Sequence, residues 1–263
     1  MTVEGTIVET VDAFHRGRFH LVQPKGIGHR SGMDAMLLAA LVAGEGPMRV
    51  ADLGAGAGAA GLAVAARIAG AEVLLVERSP LMAAFARKTL ALPSNACFAG
   101  RAEVLEADVG LSGRARRQAG LADDVFDHVI MNPPFNDRIH CRTPDALKAE
   151  AHAMDDDLFE RWIRTAGAIM RPGGQLSLIA RPQSVAAIVD ACGRRFGALE
   201  ITPLHARAGE IALRILVTGI KGSRGGLALR MPIVMHEDGL HAFTPFVNAL
   251  NNGLAAYPRL PRP

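Results

Sequence analysis

The stretch Asp52-Leu53-Gly54-Ala55-Gly56-Ala57-Gly58-Ala59-Ala60-Gly61 decides how this chain is read. The apolar run MRVADL (48–53) leads into it, and LAVAARIA follows it at helical spacing. It is therefore a glycine-rich turn from a strand into a helix. Glycine takes positive φ without penalty and lets the backbone come close to a ligand. A turn that only packs strand against helix uses glycine as well, so the loop needs its surroundings to be interpreted.

Downstream the alternation of strand and helix continues. AEVLLVE (71–77) is a continuous apolar run, the mark of a strand buried on both faces. AEVLEAD (102–108), VFDHVIMN (125–132) and QLSLIA (175–180) are further strands. Pro80 opens the helix LMAAFARKTLAL, where a missing N–H does no harm. LFERWIRTAGAIM (158–170), stopped by RPGG, and SVAAIVDACGRRF (184–196) are helices. Helices between buried strands predict an α/β fold: a mostly parallel sheet with right-handed crossovers and helices on both faces. LEITPL (199–204) and IALRILVTGI (211–220), joined by the short HARAGE, predict an antiparallel pair at one edge. Residues 136–157 read as a long polar segment with a short helix, PDALKAEAHAM, placed to face a substrate.

The loop fits two ligand templates. Gly56-x-Gly58-x-x-Gly61, with Glu77 further on, matches the dinucleotide fingerprint of a nicotinamide oxidoreductase. Gly54-x-Gly56-x-Gly58 behind a strand-ending acid matches an S-adenosylmethionine loop. Two features favour the second. A carboxylate at Asp52 repels a pyrophosphate but tolerates a sulfonium ligand with an α-amino group. Acids also end three successive strands, at Asp52, Glu77 and Asp108, and the carboxyl edge of a parallel sheet brings such residues to one crevice. Glu77 can accept both ribose hydroxyls, and Asp108 can accept from an adenine amino group.

The fourth strand runs into Asn132-Pro133-Pro134-Phe135. Pro134 forces Pro133 out of the helical region, and neither proline donates an N–H, so the turn is stiff and rich in acceptors. The Asn132 side-chain carbonyl and the Pro133 backbone carbonyl can take both hydrogens of an amino group conjugated to a ring. Held so, the nitrogen is drawn toward tetrahedral geometry and its lone pair faces an electrophile. Phe135 offers a face on which a planar base stacks.

With these residues in place, the chain resembles the Rossmann-like class I S-adenosylmethionine-dependent methyltransferases that carry an N-P-P-F/Y motif and act on amino nitrogens. More narrowly it resembles the bacterial family that methylates N6 of adenine 37 in tRNA for valine. The narrower likeness includes FHLVQP (19–24), GHRSGMDAMLL (28–38), Ala208-Gly209-Glu210, Arg214, Val217, Lys221-Gly222, and Met235-His236 through Phe243-Thr244-Pro245. The resemblance implies a seven-stranded sheet with one antiparallel strand. It implies a cofactor set of Arg30, Asp34, Asp52, Gly54, Ala55, Gly56, Gly58, Glu77, Arg78, Asp108, Val109 and Asn132, and a catalytic set of Asn132, Pro133, Pro134 and Phe135. Relatives sharing the motif act on guanine N2 in ribosomal RNA or on a protein glutamine, and members are also labelled O-methyltransferases. These remain the alternatives to a tRNA adenine.

Composition bounds the rest. The chain has 263 residues, 49% hydrophobic and 21% charged, which suits an ordered α/β domain and excludes a disordered one. We read residues 1–34 as a basic extension packed on a methyltransferase domain of residues 35–263. Three cysteines without a C-x-x-C argue against a disulfide framework, and no signal peptide or membrane span is evident, so a cytoplasmic protein is expected. His140-Cys141 with His152 matches no ligand spacing, so no metal is expected. Asp155-Asp156-Asp157 reads as a helix N-cap, and Arg114, Arg116 and Arg117 as a solvated face. The last 70 residues carry nine Lys or Arg against four Asp or Glu, and residues 14–33 hold four bases and no acid. Such basic flanks suit a polyanion, and Lys25, Arg30, Arg207, Lys221 and Arg224 are the expected contacts to tRNA or another structured RNA.

Overall fold

A computed structural model of the chain describes residues 7–25, 31–134, 145–239 and 241–261, with residues 145–156 described as backbone only. Apolar runs become strands: β3 (Met48–Leu53), β4 (Ala71–Glu77), β5 (Ala102–Glu106), β6 (Phe126–Met131), β7 (Met170–Ala180), β8 (Phe196–His205) and β9 (Ala212–Lys221); β7 starts earlier than expected, so the RPGG read as a helix stop lies inside it. Two short strands, β10 (Ala228–Leu229) and β11 (Ile233–Val234), lie along β8. The sheet runs β10-β8-β9-β7-β6-β3-β4-β5, with β11 also on β8. It thus keeps the seven expected strands and adds two residues' worth of pairing twice at one edge. The antiparallel pair is there, and β9 is its reversed member: it pairs antiparallel with both β7 and β8 and so sits inside β8 rather than at the edge itself.

Helices cover both faces. On one side α1 (Met33–Ala40), α2 (Ala59–Arg67) and α3 (Pro80–Leu90) bury Leu38, Leu62 and Phe85 against Leu75 of β4. On the other, α6 (Asp145–Ile169) and α7 (Val185–Cys192) bury Phe159, Ile163 and Ile188 against β6 and β7. Between them lie the short α4 (Ala96–Ala99) and α5 (Gly113–Gln118), and α8 (Pro245–Asn251) closes against α1. Two helix starts follow capping rules: Ser79 caps α3 with Pro80 in its first turn, and Thr244 caps α8 with Pro245 behind it.

The N-terminal residues form a hairpin with its own two-stranded sheet, β1 (Glu9–Phe14) and β2 (Phe19–Pro24). Phe19 and Leu21 are fully buried in the same apolar cluster as α1 and α2. Asn95 Oδ1 accepts from His20 N at 2.9 Å, and Thr89 Oγ1 accepts from Val22 N at 2.9 Å, so β2 is tied to the last turn of α3 and the segment after it by polar bonds as well.

Two expectations are corrected. The acidic triplet 155–157 is not at a helix start, because α6 is one 25-residue helix that begins at Asp145; Asp157 instead pairs with Arg161 one turn on, at 3.3 Å. Arg116 is not solvated: it is 2% exposed, and its guanidinium donates to the Leu121 carbonyl and pairs with Asp123. Burial there needs that pairing, since an unpaired charge would not be tolerated. His140 and Cys141 lie outside the described residues, and nothing is described of the His152 side chain. Among the described residues no cluster of metal-ligating side chains occurs, and no helix is long and apolar enough to cross a membrane.

Candidate active site

Parallel pairing of β3, β4, β5 and β6 sends all four strand ends to one edge of the sheet, and the turns after them surround a cleft of about 390 Å³. The glycine loop leaves β3 by a double bond to its neighbour: Gly54 N and Ala55 N both donate to the Val76 carbonyl, at 2.8 and 3.0 Å. Gly54, Gly56 and Gly58 all have positive φ, of 72°, 57° and 96°. Their reasons for being glycine differ. A Cβ on Gly54 would stand 2.4 Å from Trp162, and one on Gly58 2.9 Å from Leu75. A Cβ on Gly56 meets nothing nearer than Met82 at 3.8 Å and would project into the cleft. Gly61 closes the loop, with its Cβ position 2.4 Å from Leu75.

The three acids are fixed by the loops they serve. Glu77 accepts from Gly56 N at 2.8 Å through one oxygen and from Ser79 N at 2.7 Å through the other. Each oxygen keeps a second lone pair, so the carboxylate can still receive hydroxyls. Asp108 is exposed and accepts from Gly110 N at 2.7 Å, while the carbonyl of the next residue, Val109, takes the Thr165 hydroxyl of α6 at 2.8 Å. Asp52 is 3% exposed and accepts from Gly61 N at 2.8 Å. Burial pushes its carboxyl up to about 7; the Gly61 N–H opposes the shift and the Glu77 charge adds to it.

That shift has a sign that can be tested. Between about pH 4 and 7 the folded chain holds a proton on Asp52 that the unfolded chain has released, so this group lowers stability as pH rises through that window. A cationic ligand beside Asp52 favours the ionised form. Affinity for S-adenosylhomocysteine, whose amino group is positive, should therefore rise with pH up to about 7 and then level off. Calorimetric titration across pH is the measurement, and Asp52→Asn should flatten the profile.

At the end of β6, Asn132 enters the cleft beside buried Pro133 and exposed Pro134. The Asn132 Oδ1 atom is buried and has no hydrogen-bond partner among the described residues. A buried acceptor of that kind calls for an explanation, and here its residue lines the cleft.

The cleft brings together Asp52, Gly54, Ala55, Gly56, Glu77, Arg78, Asp108, Val109, Asn132, Pro133 and Pro134. Gly58 and Asp34 do not line it. Gly58 packs on Leu75, and Asp34 is paired with Arg214 at 3.0 Å. Arg30 and Phe135 lie outside the described residues. Among the expected RNA contacts, Lys25 is exposed just beyond β2, and Arg207 lies in the β8–β9 turn at the same edge as the cleft. Lys221 and Arg224 lie elsewhere. Lys221 ends the reversed strand opposite Phe196, the start of β8, so it and the following Arg224 are at the amino edge, away from the cleft. Lys221 is also occupied structurally, donating to Asp124 and to the Met170 carbonyl, both at 2.6 Å. Sequence reasoning missed Trp162, Leu158, Met82 and Arg181, and took Arg214 only as part of a likeness. Trp162 carried one available signal, being the single tryptophan of the chain.

A parallel sheet with a glycine loop after its first strand, acids on the next strand ends and an acceptor-rich turn after the fourth defines an S-adenosylmethionine-dependent methyltransferase. The chain belongs to the methyltransferase small domain family, whose pattern matches residues 31–202, well over half of its length. S-adenosyl-L-methionine is accordingly its cofactor, and the open Gly56 position and the lone pairs of Glu77 fit a ligand there. The dinucleotide template is not met at its second glycine: Gly58, whose backbone would have to approach a pyrophosphate, does not line the cleft.

The chain is also similar to three known proteins. A predicted O-methyltransferase from Agrobacterium tumefaciens, known as a crystal structure, is 61% identical, with a TM-score of 0.76 over 86% of this chain and 99% of that one. The tRNA1(Val) (adenine(37)-N6)-methyltransferase of Pedobacter heparinus is 28% identical over 68% of this chain and 71% of its own length. The T. thermophilus 16S rRNA N2 guanine methyltransferase, solved with S-adenosylmethionine and guanosine, shares the fold at 22% identity, with a TM-score of 0.56 over 84% of this chain and 52% of that one.

Proposed function

We propose that this methyltransferase acts on the exocyclic amino nitrogen of a nucleobase in RNA, and that N6 of an adenine in the tRNA anticodon loop, position 37, is its substrate. The orphaned Asn132 Oδ1 carries this reading. Two prolines follow it, so the turn offers carbonyl acceptors and no competing N–H. Asn132 Oδ1 and the Pro133 carbonyl accept the two amino hydrogens and aim the nitrogen lone pair into the cleft. Bound S-adenosylmethionine supplies an electrophilic methyl group. The amine needs no base before attack, because it becomes acidic only once methylated. Phe135, next in sequence, supplies a stacking face worth about 1–3 kcal/mol.

The nucleic-acid part rests on the activity of the P. heparinus relative and on geometry. A base inside a stack cannot reach Asn132, so the target is unpaired or flipped, as an anticodon-loop base is. Incubation with methyl-labelled S-adenosylmethionine and total RNA, followed by base-resolved mapping, is the test. Label in tRNA as N6-methyladenine is expected. Label on guanine N2 would move the target to another base; label on a glutamine or on a hydroxyl oxygen would overturn the reading.

A further inference from the structure

Helix α6 has two adjacent faces with different tasks. Phe159, Ile163 and Ala166, at i, i+4 and i+7, are buried in the apolar cluster that includes Met131 and Leu178, and they fix the helix on the sheet. Leu158, Trp162 and Thr165 repeat the same spacing one residue earlier on the first two and one residue earlier on the last. Leu158 and Trp162 line the cleft.

This second face touches two loops at once. The outer edge of the Trp162 ring lies against Gly54, where a Cβ would stand 2.4 Å from Cη2 and 2.9 Å from Cζ3. Thr165 is 1% exposed; its hydroxyl donates to the Val109 carbonyl at 2.8 Å, with the Leu111 carbonyl 3.2 Å away. Gly54 leads out of β3 and Val109 follows β5, and β4 lies between those strands. Two strand spacings are about 10 Å, so a single helix bridges loops that the sheet holds apart.

We propose that Trp162, together with Thr165, is a positioning residue for S-adenosylmethionine: it sets the spacing between the loop after β3 and the loop after β5, so that one ligand meets both. The two loops offer different chemistry. Buried Asp52 and the glycines suit the ammonium end of the cofactor, and exposed Asp108 suits the amino group of its adenine. A ligand that joins both ends gains affinity from a preset distance, because its second contact forms within a complex already made. A ligand that reaches only one loop gains nothing from that distance. The role is independent of which acceptor is methylated.

The test compares S-adenosylhomocysteine, which carries both ends, with methylthioadenosine, which lacks the amino-acid end. In calorimetric titrations Trp162→Ala should weaken S-adenosylhomocysteine about tenfold or more and methylthioadenosine by no more than about twofold. Thr165→Val keeps the shape and removes the donor; it should weaken S-adenosylhomocysteine about three- to tenfold, and Thr165→Ser should restore it. Phe159→Leu, on the buried face of the same helix, is the folding control: it should lower the melting temperature and leave the ratio of the two affinities unchanged. Trp162 is the single tryptophan of the chain, so its emission reports on the site directly and should change as S-adenosylhomocysteine saturates the wild-type protein. Constant emission through saturation would separate Trp162 from the ligand and overturn the proposal. Equal weakening of both ligands in Trp162→Ala and Thr165→Val would reduce this face of α6 to a folding role. Wild-type affinities in both variants would mean that the loops keep their spacing without it. If the wild-type protein binds neither ligand, the cofactor assignment itself fails, and the positioning role with it.

Discussion

Asn132→Ala is expected to lower kcat by on the order of a hundred- to thousandfold, the range seen when one preorganised transition-state group is removed. S-adenosylhomocysteine affinity should change little, because the acceptor is aimed at the substrate amine and only the amine's developing geometry uses it fully. Stability supplies the second signature. Asn132 Oδ1 is already buried without a partner, and an unsatisfied buried acceptor costs about 1–3 kcal/mol. Removing it should leave the melting temperature unchanged or raise it. Loss of methyl transfer with undiminished stability is an outcome a packing role cannot produce, since deleting a packed side chain destabilises. Near-wild-type turnover in single-turnover assays would falsify the amino-group mechanism and bring an oxygen acceptor forward.

The strands and the acid ends were legible because both signals are local. A two-sided buried strand is an unbroken apolar run, and its end is the first residue that breaks it. β4 was delimited to the residue in this way. The N-terminal hairpin was not legible. β1 alternates exposed with only half-buried positions, so no apolar periodicity marks it, and its partner β2 reads as a mixed segment. The continuity of α6 through three aspartates was hidden because acids at a helix start and acids inside a helix look alike until the first turn is located. Charge was the weakest guide. Lys221 and Arg207 are equally basic in sequence, yet a reversed strand carries the one to the amino edge and leaves the other beside the cleft. Arg181 and Arg214 were hidden for the same reason: they come to one cleft only because the pairing of β7 with β9 ends beside them, at Ala180 and Ile215. Asp34, expected to touch the cofactor, does not line the cleft and pairs with Arg214 instead, a contact that no local pattern in the sequence shows.

Gly54→Ala and Gly56→Ala should separate stability from cofactor affinity, although the two glycines are two residues apart in one loop. Both substitutions force an L-residue into positive φ, at 72° and 57°, a conformation costing roughly 1–2 kcal/mol. Gly54→Ala adds a collision, since the new Cβ would lie 2.4 Å from the Trp162 ring. Trp162 cannot retreat freely, because its helix α6 buries Phe159 and Ile163 beneath the sheet within one turn on either side. The loop must yield instead, straining the Gly54 and Ala55 bonds to the Val76 carbonyl. Overpacking of this kind costs about 1–3 kcal/mol more, so a total of roughly 2–5 kcal/mol is expected. At about 2–4 °C per kcal/mol for a chain of this size, the melting temperature falls by roughly 4–20 °C. Gly56→Ala meets no such wall, its Cβ standing 3.8 Å from the Met82 methyl. It should lose only the conformational part of that stability. Its new methyl stands on a residue that lines the cleft, with the Met82 methyl its single neighbour within 4 Å among the described residues. S-adenosylhomocysteine affinity should therefore drop at least about tenfold, the equivalent of the 1.4 kcal/mol that a single misplaced methyl readily exceeds. Thermal melts and titrations on the two variants decide the matter. Equal losses of stability would mean that Trp162 does not brace the loop, and wild-type affinity in Gly56→Ala would mean that the ligand does not lie against it.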